Sequence, residues 1–125
     1  MTVTPTLGTG YTSLVTAPPA FADAPLRYYK SDGFTLNIKG GFAVTSGYAG
    51  AIFTLPEKYI PQYKQTFLVP QYSGAECGWT IGVVEIRPDG NVLWMTPSDN
   101  SQVFLDSIVV QTYAFPEEHW GYTDY

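Results

Sequence analysis

Two closely spaced prolines constrain this chain more than any other feature, in the stretch Ala51-Ile52-Phe53-Thr54-Leu55-Pro56-Glu57-Lys58-Tyr59-Ile60-Pro61. Ile52, Phe53 and Thr54 are β-branched or aromatic and follow Gly50, so the stretch begins as a strand. The strand cannot pass Leu55, because Pro56 has no N–H for a ladder and restricts the residue before it. Pro61 then repeats the constraint. Between them the chain is expected to turn a rigid corner, with Glu57 and Lys58 at a wet tip and Tyr59 and Ile60 folded back onto apolar surface. The corner sets where the next strand starts, and the surrounding sheet is expected to be organised around it.

The rest of the chain suits such a frame. Its 125 residues are enough for one domain with a core of its own. Charged residues make up 14% and aromatic ones 16%, with 10 Tyr, 12 Gly and 10 Pro. Good helix formers are sparse, which favours a β-rich, loop-rich fold. Residues 1–25 are rich in Thr, Ala, Gly and Pro and read as an extended arm, whose Leu14 and Phe21 are candidates for docking on the domain or on another protein.

Strands follow from residue 26. Arg27-Tyr28-Tyr29-Lys30 precedes a turn at Ser31-Asp32-Gly33, and Phe34-Thr35-Leu36-Asn37-Ile38-Lys39 alternates as a half-buried antiparallel strand should. Gly40-Gly41 suggests a bulge that Phe42 and Val44 continue. After the corner, Gln65-Thr66-Phe67-Leu68-Val69 is a strand that Pro70 stops. Trp79-Thr80-Ile81-Gly82-Val83-Val84-Glu85-Ile86 enters a hairpin at Arg87-Pro88-Asp89-Gly90-Asn91 and returns as Val92-Leu93-Trp94-Met95. Pro88 presets φ, and Gly90 takes the left-handed position that closes a type I turn with a bulge. Gln102-Val103-Phe104-Leu105 and residues 107–115 supply the last strands, broken around Asp106-Ser107. The expected domain is residues 26–115, an all-β, antiparallel, jelly-roll-like sandwich of about seven or eight strands. Residues 116–125 form an acidic and aromatic tail, in which Trp120, Tyr122 and Tyr125 are candidates for docking on a neighbouring protein.

Several of these strands are apolar at consecutive positions: Val83-Val84, Val92-Leu93-Trp94-Met95 and Ile108-Val109-Val110. Both faces of such strands need cover. A lone two-layer sandwich would expose an unusually large apolar patch, so identical copies are expected to hide Val83, Leu93, Met95 and Val109 for one another, the alternative being that the arm or the tail covers that face.

Three pieces stand in a fixed order. Arg27-Tyr28-Tyr29-Lys30 with Asp32-Gly33 precedes the alternating strand that ends at Gly40. The Phe53-Thr54-Leu55-Pro56-Glu57-Lys58-Tyr59-Ile60-Pro61 corner follows, and then Ile86-Arg87-Pro88-Asp89-Gly90-Asn91-Val92 with Val103-Phe104-Leu105-Asp106-Ser107-Ile108. Together they resemble the small C-terminal domain of bacteriophage tail-fibre and receptor-binding proteins, over roughly residues 26–115. The resemblance implies a β-sandwich that assembles as a homotrimer on the virion surface and binds host-surface glycan. Ser107 stands where that pattern usually has glycine, and the domain makes up nearly the whole sequence, with only the arm before it. A capsid, collar or tail decoration without receptor binding is the alternative, and a cellular carbohydrate-binding module a further one.

Catalysis is not expected. His119 is the only histidine, and no Gly-x-Ser-x-Gly motif occurs. One His with one Cys, Cys77, makes no zinc cage, and Asp99-Asn100-Ser101 lacks calcium-loop spacing. No metal or other cofactor is implied. Among the carboxylates, Asp32 and Asp89 belong to turns, Glu57 to the wet corner and Glu85 to the outer face of its strand. None, Asp99 and Asp106 included, stands in an apolar setting that would raise its pKa for glycoside cleavage. The net charge of −5 argues against nucleic acid. No apolar run is long enough to cross a bilayer, and no export signal is visible at the N-terminus. Sugars are held by aromatic rings and short polar side chains, so Tyr48, Tyr59, Tyr63, Tyr72 and Trp79 are of interest, most of them expected to pack within the protein. Tyr72, Glu76, Ser98, Asp99 and Asn100 are the candidates for an exposed ligand-binding face.

Overall fold

A computed structural model describes residues 2–14, 25–31, 34–45, 47–73, 78–97 and 101–112. Its strands in chain order are β1 (Tyr11–Ser13), β2 (Arg27–Ser31), β3 (Thr35–Lys39), β4 (Gly41–Val44), β5 (Phe53–Thr54), β6 (Gln65–Tyr72), β7 (Trp79–Ile86), β8 (Asn91–Trp94), β9 (Ser101–Phe104) and β10 (Ile108–Gln111). A seven-stranded sheet runs β1-β4-β9-β6-β7-β8-β5 and a three-stranded sheet runs β10-β3-β2. Every ladder in both is antiparallel. The architecture is the expected all-β sandwich.

The core lies between the sheets. The small sheet sends in Tyr28, Leu36, Ile38, Ile108 and Val110, and the large one Phe42, Val44, Val69, Val84, Ile86, Val92, Trp94 and Val103, all buried. Consecutive apolar positions are therefore divided by the pleat: Val84 points in and Val83 out, Val92 and Trp94 in and Leu93 and Met95 out. The Trp94 indole crosses over Gly82, where an added Cβ would overlap the ring. Phe42 meets Trp94 edge-on at 5.8 Å.

Five local expectations are corrected. Gly40-Gly41 is no bulge: Gly40 (φ 82) is where the chain leaves the small sheet, and β4 belongs to the large one. The strand before the proline corner, around which the sheet was expected to be organised, lies at its edge. Only Phe53 and Thr54 pair, with β8 alone, because Pro56 ends the run almost at once. Pro70 does not stop β6 but lies within it opposite Ile81. A proline is tolerated where one side of a strand has little ladder to interrupt, and β9 meets β6 only at Gln71 and Tyr72. The arm also enters the fold. Val3 bridges Tyr28, β1 joins β4, and Leu14 is fully buried in its own domain, so it is not a surface for docking another protein. With β1 and β4 counted, the described residues hold ten strands where about seven or eight were expected.

The proline corner has the expected form. Residues Glu57–Tyr59 make one 3-10 turn, with Glu57 and Lys58 exposed and Tyr59 buried against Tyr28 at 5.0 Å. Lys30 Nζ donates to the Lys58 carbonyl at 2.7 Å, and the Leu55 N–H donates to the Gly90 carbonyl at 2.8 Å. The second bond seats the corner on the β7–β8 hairpin. That hairpin closes with the Gly90 N–H on the Arg87 carbonyl at 2.9 Å and the Asn91 N–H on Asp89 Oδ1 at 2.9 Å.

A second junction joins the sheets. The chain crosses from small to large at Gly40 and from large back to small at Asp106-Ser107. There the Gly40 N–H donates to Asp106 Oδ1 at 2.8 Å, the Leu105 N–H to the Gly40 carbonyl at 2.8 Å, and Lys39 Nζ to the Asp106 carbonyl at 3.0 Å.

Two substitutions test these junctions by urea denaturation. Asp106→Ala is expected to cost about 1.5 kcal/mol, the low end for a hydrogen bond to a charged group because the site is partly wet, and Asp106→Asn to cost less. Gly90→Val is expected to cost about 1–3 kcal/mol in backbone strain, since Gly90 sits at φ 93 with its Cβ position 2.8 Å from the Leu55 carbonyl oxygen.

Candidate functional site

The outer face of the large sheet is built by register. Leu68 of β6 lies opposite Val83 of β7, Pro70 opposite Ile81, and Tyr72 opposite Trp79. Leu93 of β8 lies opposite Glu85, and the Met95 N–H continues the ladder to the Val83 carbonyl at 2.9 Å. On β9, Gln102 lies opposite Tyr72, and Phe104 follows on the same face. The result is one continuous apolar surface. Its centre is aliphatic, with Leu68 at 68%, Ile81 at 66% and Met95 at 45% exposure. Monomeric soluble proteins seldom leave so broad a face uncovered, and fully burying each such side chain is worth about 1.5–3 kcal/mol.

One end of the face is aromatic. Trp79 is 57% exposed, with Tyr72 tilted against it at 5.1 Å and Phe104 at 5.5 Å. The other end is ionic. Glu85 Oε1 accepts from Arg87 Nε at 2.7 Å, and Glu85 Oε2 lies 3.7 Å from Lys64 Nζ. The hydrogen bond from Arg87 holds this carboxyl below its ordinary value of 4.5; partial desolvation opposes the shift, and the charges of Lys64 and Arg87 add to it.

The structure therefore brings Val83, Leu93 and Met95 onto one face together with Tyr72. It places Val109 elsewhere. Val109 is 52% exposed on the outer face of the small sheet, opposite Asn37. Glu76, Ser98, Asp99, Asn100, Phe21, Trp120, Tyr122 and Tyr125 lie outside the described residues, as do Asp32, Gly33, Cys77 and His119. Of the other aromatic candidates, Tyr59 is buried, Tyr48 packs on Tyr11 at 5.7 Å, and Tyr63 is exposed. Among the described residues no group of three or more His, Cys, Asp or Glu is placed to hold a metal ion.

Sequence reasoning missed Leu68, Ile81 and Phe104. Their signal was the same as for Val83, since Phe67-Leu68-Val69 is apolar at successive positions and both faces of β6 are thereby apolar. It also missed a groove of about 400 Å³ between residues 4–8 and Tyr28, Phe53 and Thr54. No single segment foreshadows this groove, because it gathers the arm, β2 and β5. Tyr28 and Phe53 stack with planes 3° apart and centroids 5.7 Å apart, and burial, then the neighbouring Tyr59, pushes the Tyr28 phenol pKa upward.

No family model matches this chain, and no curated protein does. Among solved structures the likeness is one of fold, and the fold is that of a phage receptor-binding protein. The structure in question is the receptor binding protein (gp15) of Listeria phage PSA, with a TM-score of 0.66 and 19% identity over 90% of this chain. This chain spans 65% of the length of that protein.

The ionic end gives a pH dependence. Glu85 titrates at its ordinary value when unfolded and lower when folded. Its contribution to stability is complete above the unfolded pKa and is lost as pH falls through the folded one. Urea midpoints of the wild type are expected to fall over that acid range, and Glu85→Gln to flatten that part of the profile; an unchanged profile would contradict the assignment.

Proposed function

We propose that this chain is a bacteriophage receptor-binding module, a virion-surface protein that assembles as a homotrimer and binds host-surface glycan rather than catalysing a reaction. The observation that carries the reading is the continuous apolar face of β6, β7 and β8 on a fold shared with a phage receptor binding protein. Leu68, Ile81, Val83, Leu93 and Met95 are the surface that a second copy would cover, with Glu85, Lys64 and Arg87 as its polar edge. Val109 takes no part, because it faces the other way. The face asks for copies of itself. Three as their number follows the resemblance in the Leu-Pro corner, the Pro-Asp-Gly hairpin and the Leu-Asp-Ser-Ile turn.

Native mass spectrometry tests the assembly. The wild type is expected at three times the chain mass, and Ile81→Asp, which places a charge at the centre of the buried face, at the mass of one chain with its circular dichroism spectrum intact. A wild-type monomer would remove the reading's main support. Binding of the purified protein to host cells and to a glycan array tests the function. Attachment to virus particles without either would favour a decoration protein.

A further inference from the structure

The aromatic end of the outer face differs in kind from the aliphatic centre. Trp79, at the start of β7, is flanked by Tyr72 and Phe104 at interplanar angles of 55° and 44°. Neither neighbour lies flat on the indole, which remains more than half exposed. Gln102 stands beside this group by register with Tyr72, half-buried, with an amide that can both donate and accept. A flat ring with polar side chains at its edge matches a pyranose, which presents C–H groups on one face and hydroxyls around its rim.

Charge narrows the class further. All six Lys and Arg residues of the chain lie elsewhere. Arg27, Lys30 and Lys39 are on the strands of the small sheet, Lys58 is in the proline corner, and Lys64 and Arg87 flank the opposite ends of β6 and β7. Among the described residues, a sugar bearing phosphate, sulfate or carboxylate would find no lysine or arginine here.

We infer that Trp79, with Tyr72 and Gln102, forms a binding site for an uncharged hexopyranose unit of a surface polysaccharide, beside the face that a second copy covers. The site deepens the receptor-binding reading and rests on it. Trp79 supplies the stacking plane, Tyr72 and Phe104 hold its tilt, and the Gln102 amide and the Tyr72 hydroxyl bond the rim hydroxyls.

The test compares wild type, Trp79→Ala, Trp79→Phe and Gln102→Ala on an array of neutral and acidic glycans, with native mass and host-cell binding recorded for each. Wild type is expected to retain neutral hexose glycans in preference to acidic ones. Trp79→Ala is expected to weaken that binding about tenfold or more, a difference of about 1.4 kcal/mol, with Trp79→Phe and Gln102→Ala in between and the native mass unchanged. Retention of acidic glycans only, undiminished binding by Trp79→Ala, or a lower oligomer mass for Trp79→Ala and Trp79→Phe would each overturn the site. If wild type binds host cells but no glycan, the site fails while receptor binding stands. If it binds neither, the receptor-binding reading fails as well.

Discussion

The bond from the Gly40 N–H to Asp106 Oδ1 is the contact on which the rest of the architecture turns. The two sheets share no ladder, so the chain itself must join them, and two of its passages, from β3 to β4 and from β9 to β10, meet at one corner. At a crossing each sheet surrenders backbone partners. The orphaned groups need a substitute, and an unpaired backbone group in a partly dry corner would cost about 1–3 kcal/mol. Asp106 supplies an acceptor from its side chain, Gly40 turns its carbonyl to Leu105, and Lys39 reaches the Asp106 carbonyl. With that corner satisfied, β3 and β10 pair side by side in one sheet while β4 and β9 pair side by side in the other. The same two turns thus set the registers of both layers.

From those registers the outer face follows. Because pleating alternates side chains, a run such as Val83-Val84 must put one apolar group on each side. Successive runs in β6, β7 and β8 are in phase, so their outward members align across the sheet instead of scattering. Glu85 shows the contrast: it is an outward position in the same rows, but a charge, and its neighbours Lys64 and Arg87 are charges too. The ionic group bounds the greasy surface at one end, and the Trp79 cluster bounds it at the other.

Much of this was legible in the sequence, and the limits are physical. The Arg87 to Asn91 turn and the Leu55 to Pro61 corner could be read residue by residue because their geometry is imposed locally by Pro and Gly. The alternation of Leu36, Asn37 and Ile38 was equally clear. Sheet membership was not. Gly40-Gly41 reads the same whether a strand bulges or changes layers, since the local backbone needs are alike and only the distant Asp106 decides. The arm was open between its own domain and another protein for a similar reason. Its Pro and Gly residues interrupt any period and the Tyr11-Thr12-Ser13 run is too short to stand out, yet β4 offered an open edge that Tyr11 to Ser13 could pair with. At the site, Val83, Leu93 and Met95 were visible as surplus apolar residues, but that Val109 lies on the opposite layer depends on topology, which periodicity does not encode.

The arm also has a mechanical side. Its first attachment is a pair of backbone bonds between Val3 and Tyr28, at 2.8 and 2.9 Å, on the small sheet; the next is from Gly8 to the Ile52 carbonyl, and then β1 along β4 of the large sheet. A pull on residue 2 would therefore be resisted by both layers in turn. The short clasp at Val3 would peel first, as a fuse, while Leu14, anchored in the interior, would pass the remaining load to the body of the sandwich.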